Sequence, residues 1–82
     1  MTPKISKIQY KEAYIYQIRF ADNLEGTINF KPFLWGEAFE VLKDQTIFKK
    51  AFIDDITGTI TWPNGVDIAP ETIYAKISTN SS

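Results

Sequence analysis

The chain has 82 residues, which sets an upper limit of one domain and a small core, because so short a chain buries only roughly 60–65% of the surface its unfolded form exposes. It carries no cysteine and no histidine, so disulfide support, thiolate or imidazole metal sites and the Ser-His and Cys-His nucleophile pairs are excluded. A net charge of −1 gives a weak overall field, while 44% hydrophobic and 15% aromatic residues supply the large rings a small core needs.

Residues 5–10 alternate loosely, with Ile8 and Tyr10 on one face, Lys7 and Gln9 on the other, and Ile5 outward. Lys11 and Glu12 then read as a turn. Over 13–21, Tyr14, Tyr16, Ile18 and Phe20 share one face and Ile15, Gln17 and Arg19 the other, the period-2 pattern of a half-buried strand. Asp22-Asn23 signals a turn. A third strand over 25–31 points Ile28 and Phe30 inward and Thr27, Asn29 and Lys31 outward. The three make an antiparallel meander, a sheet able to wet one face.

Pro32 stops the third strand, and Phe33, Leu34, Trp35 and Gly36 form an apolar corner. Phe39 and Leu42 are spaced for a helix over 37–43. Asp44 is placed to cap a second short helix to about Lys50, turning Ile47 and Phe48 to the core. Residues 51–56 and 59–62 suit a hairpin around Thr57-Gly58, and 66–68 a short extended piece. Pro70 fits a first helical position and Glu71 the positive end of the dipole, with Ile73, Tyr74 and Ile77 at helical spacing. The polar tail 78–82 is expected to fray, leaving an ordered core of about residues 4–77. The expected fold is a single α+β domain of order βββ-α-ββ-α: a three-stranded meander plus a hairpin, with two or three short helices on one face.

Few residues carry chemistry. The four glycines are never closer than seven apart, which leaves no phosphate loop. The remaining enzymatic route is a carboxylate-metal site at Asp54-Asp55 or Asp67 with Glu71. Neighbours on a strand point to opposite faces, and none of these residues has calcium-loop spacing, so a solvated hairpin end and a helix-start charge are the simpler readings. No catalytic residue, metal or cofactor is expected. Lys7, Lys11, Arg19 and Lys31 would share the outer face of the meander, with no acid at an outward strand position. A solvated face is the plain reading, an acidic protein or nucleic acid the functional one. RNA would want aromatic rings there, and the rings point the other way. Phe33, Leu34 and Trp35 either plug the core or anchor a partner, with Ile5 and Ile15 adding weight to an interface or a homodimer.

Trp62-Pro63-Asn64-Gly65 reads first as turn geometry: proline presets φ, asparagine tolerates the next position and glycine accepts positive φ. Trp62 would cover the edge of the core, with Asp67 accepting its indole N–H or a backbone N–H. Together with "YIYQIRFADNLEGTINFKPFL" and "FEVLKDQTIFKKAFID", the segment "GTITWPNGVDIAPETIY" resembles the bacterial family called domain of unknown function 2442 (DUF2442). Trp62, Asn64, Gly65, Asp67, Pro70 and Tyr74 match its most specific pattern, and the likeness spans about residues 5–77. It implies the small α+β domain already derived and no catalytic residues. Members carrying a following helix-turn-helix imply a regulatory role; with the sequence ending at Ser82, direct DNA binding by that route is not expected. Pairing with a small neighbouring protein, in an antitoxin-like arrangement, is also implied.

The expectation is therefore a cytoplasmic, non-enzymatic interaction or regulatory module with a small protein partner, without a membrane span. Its candidate interaction residues are Phe33, Leu34, Trp35, Trp62, Asn64, Asp67 and Tyr74. Nucleic-acid contact through the basic face and a carboxylate-metal enzyme are the alternatives.

Overall fold

The computed structural model describes residues 3–80 and is α+β, with two three-stranded antiparallel sheets and short helices. The first sheet is the meander β1 (Ile5–Glu12), β2 (Ile15–Phe20) and β3 (Glu25–Asn29), in sheet order β1-β2-β3. The second is β4 (Phe52–Ile53), β5 (Ile60–Thr61) and β6 (Asp67–Ile68). The expected hairpin gains its third strand from the extended piece after the Asn64-Gly65 turn, where Ile68 pairs with Ile60 and Asp67 with Thr61. Between the sheets lie α1 (Glu37–Glu40), running into a 3-10 turn Val41–Lys43, and α2 (Gln45–Phe48). The last helix, α3 (Pro70–Asn80), continues into the polar tail expected to fray, and Ser81 and Ser82 lie outside the described residues.

The inner face of β2 follows its alternation: Tyr16, Ile18 and Phe20 are buried, as are Ile28 and Phe30 after it. They join Leu34, Leu42, Phe48, Ile60, Trp62, Ile68, Ile73 and Ile77 in one core. Helix α3 crosses β3 at Gly26, where an added Cβ would stand 2.8 Å from Ile77 Cγ2; only a residue without a side chain lets the helix lie that close.

Two features of β1 depart from the alternation. The register slips between Ile5 and Lys7 and again between Tyr10 and Glu12. An extra residue at Ser6 puts Ile5 opposite Phe20 and into the core, so Ile5 does not face outward. The second irregularity, at Lys11, carries the strand on to Glu12. The reversal is therefore at Ala13-Tyr14, two residues later than expected, with Ala13 at φ 47°. The other turns match their signals: Asn23 takes φ 74°, and the Asp44 carboxylate accepts the Thr46 N–H at 3.0 Å to cap α2.

Candidate functional site

The apolar corner starts where Asn29 Oδ1 accepts the Lys31 N–H at 3.0 Å and a 3-10 turn, Lys31–Phe33, follows with Pro32 inside it. Phe33 N–H donates to the Phe30 carbonyl at 2.8 Å and Leu34 N–H to that of Lys31 at 3.1 Å. These bonds fix the direction of three successive side chains. Phe33 is half-buried on the core, with the Lys76 ammonium 5.9 Å from its ring centre. Leu34 is 3% exposed and belongs to the core. Trp35, the next residue, is 75% exposed. Gly36 then turns the chain at φ 89°, ψ 158°, and its carbonyl accepts the first N–H bonds of α1 from Phe39 and Glu40. A large indole thus stands in solvent between two hydrogen-bonded anchor points.

The other candidates divide. Trp62 is fully buried and cannot touch a partner. Its indole donates to the Phe48 carbonyl at 2.9 Å, not to Asp67, because β5 aims the ring inward beneath Phe30 and stacks it on Phe48 at 5.7 Å. The same carbonyl accepts the Tyr16 hydroxyl at 2.7 Å. Burial pushes the Tyr16 phenol up to about 12, against a smaller lowering by a bond with the Ala51 backbone. Leu34 likewise leaves the interaction set for the core.

Asn64 is exposed but occupied by structure. Its Oδ1 accepts the Val66 N–H at 3.2 Å and its Nδ2 donates to the Ala38 carbonyl at 3.3 Å, which ties the turn to α1. The turn itself closes as expected, Gly65 N–H donating to the Trp62 carbonyl at 2.9 Å with Gly65 at φ 87°. Asp67 is exposed on β6. Tyr74 is half-buried, edge-on to Phe20 at 4.9 Å, with its hydroxyl donating to Asp22 at 2.5 Å. That bond and one from the Leu24 N–H hold the Asp22 carboxyl below the ordinary carboxylate range, and the same carboxylate raises the Tyr74 phenol. The sequence marks Phe20 as core and Asp22 as a turn residue, neither as part of a site; the Asp22–Tyr74 contact joins residues 52 apart, which no local spacing reveals.

The basic face is less basic than expected. Lys7 stands opposite Arg19, and Gln9 opposite Gln17, around a shallow recess of about 160 Å³. Glu25 pairs with Arg19 from β3, and the slip at Lys11 brings Glu12 opposite Ile15 on the same outer face. The ladder therefore presents two acids to two bases. Lys11 sits in the irregularity itself, and Lys31 on the 3-10 turn beyond the end of β3.

The acidic candidates are spread over different elements. Asp54 follows β4 in the turn, where its Oδ1 accepts the Ile56 and Thr57 N–H groups at 2.8 and 3.2 Å, and Asp55 is exposed beside it. Glu71 lies in the first turn of α3. Among the described residues no group of three or more acidic side chains is placed to hold a metal ion. No helix among them is long and apolar enough to cross a membrane.

The turn at Trp62-Asn64-Gly65, the strand through Asp67 and the helix opening at Pro70 lie within a match to the family model described as "Protein of unknown function (DUF2442)", which covers residues 5–79. The chain belongs to that family. The DUF2442 match takes in both sheets and nearly all of α3, so the family unit is the whole packed domain, with the exposed Trp35 inside it. No curated protein and no solved structure shows a match to the chain.

Proposed function

We propose that this domain is a non-enzymatic protein-interaction module that presents Trp35 to a small protein partner. The observation that supports this is the 75% exposure of Trp35 beside a Leu34 that is 3% exposed. A tryptophan fixed in solvent by its backbone retains a large apolar area for a partner to cover, and little is lost in ordering it. Its role is regulatory, of the antitoxin-like kind the family resemblance implies, in which occupying the partner is the activity.

The test is to express the tagged chain in its own host, alongside Trp35→Ala, and identify what co-purifies by mass spectrometry. One small protein should accompany the native chain and be lost from a Trp35→Ala variant that melts at the same temperature. Recovery of nothing above background, or a partner retained by the variant, would overturn the reading.

A further inference from the structure

The turn between β2 and β3 and the first turns of α3 border a groove of about 720 Å³, within the size range of small-molecule pockets. Its walls are mainly apolar. Tyr74 stands edge to face on the buried Phe20, and Ala21 and Ala75 carry the surface on to the turn and the helix. Asp22 is the fixed polar point: Oδ1 accepts the Leu24 N–H at 3.0 Å and Oδ2 the Tyr74 hydroxyl at 2.5 Å. Both donors are neutral, so the carboxylate keeps its charge while its orientation is set. Glu71 adds a second carboxylate to the wall. Among the described residues neither acid has a cation within 4.0 Å. Lys4, which also borders the groove, lays its stem against Gly58, where a Cβ would meet Lys4 Cβ and Cγ at 2.9 Å.

We propose that this groove binds a small organic cation, an apolar body carrying an ammonium group. The body lies against Tyr74, Ala21 and Ala75, and the ammonium meets Asp22. A carboxylate already held at both oxygens loses little freedom when it accepts a further charged donor, and the Tyr74 ring suits both halves of such a ligand. The groove shares no residue with the Trp35 corner, so the inference stands apart from the proposed protein partner.

The test follows backbone amides by NMR while phenethylamine, phenethyl alcohol and phenylacetate are titrated separately into the full chain. Phenethylamine should move the amides of Ala21, Asp22, Tyr74 and Ala75, more strongly than the alcohol and far more than the acid. Asp22→Asn should weaken the amine roughly three- to tenfold, the loss expected for one charge-assisted hydrogen bond, and leave the alcohol unchanged. The unchanged alcohol reports an intact groove. Silent amides at millimolar amine, equal shifts from phenylacetate, or an Asp22→Asn variant that binds the amine as well as the native chain would each overturn the proposal.

Discussion

The two tryptophans sit in similar local sequence, each beside a glycine turn and within three residues of a proline, yet one is fully buried and the other 75% exposed. Trp62 lies at the end of a strand whose alternation points inward, and it finds the Phe48 carbonyl for its indole N–H. Trp35 follows a 3-10 turn that spends its inward position on Leu34, and the next residue can only point out. Residue type alone does not decide between core and surface. The neighbour that takes the inward position, and the partner available to the N–H, do.

The largest effect separates the pair directly. Trp62→Ala should cost about 3–5 kcal/mol, enough to unfold much of so small a domain, whereas Trp35→Ala should stay within about 0.5 kcal/mol, both read by urea denaturation. Similar losses in the two variants would mean that Trp35 is packed after all. The glycine beside each ring sharpens the contrast. Gly36, at φ 89° and ψ 158°, occupies a region nearly closed to other residues, so Gly36→Ala should cost about 1–3 kcal/mol. Gly65→Val should cost about 1–2 kcal/mol from its positive φ alone, since nothing lies within 4 Å of an added Cβ.

A smaller effect concerns the carbonyl shared by Trp62. The Tyr16 phenol rises from 10.0 to about 12 on folding, so above pH 10 the unfolded chain releases a proton that the folded chain keeps. Stability is then full below pH 10 and falls toward pH 12, by up to about 2 kcal/mol. Tyr16→Phe should remove that slope, at a cost near 1 kcal/mol because Trp62 still donates to Phe48; alkaline melts of the two proteins check it. The smallest effect lies at Asp22, whose lowered pKa makes its contribution present above 3.8 and lost as the pH falls through the folded value. Tyr74→Phe should shift the loss to higher pH, visible in an NMR titration of the Asp22 carboxyl.

Where side chains follow a regular period, the fold was legible in the residues. Tyr16, Ile18 and Phe20 face inward on β2, Asp44 caps α2, Gly65 takes positive φ and Pro70 opens α3. What escaped depends on pairing between strands. The slips in β1 turn Ile5 inward and Glu12 outward, and neither Ser6 nor Lys11 announces itself as an irregularity. Ala13 at φ 47° carries no turn signal. The third strand of the second sheet is two residues long, too short to show a period. Within the corner, three consecutive large apolar residues hide which one is left outside. The groove was not legible either, because Phe20, Asp22 and Tyr74 come from opposite ends of the chain.

The Phe48 carbonyl has one further consequence. It ends α2, and it accepts a hydroxyl from the first sheet and an indole from the strand end of the second. Neither sheet can separate from that helix without giving up a bond at the same oxygen. The three elements should therefore behave as one cooperative unit in hydrogen–deuterium exchange, with the slowest amides of β2 and those flanking β5 exchanging at a single common opening free energy.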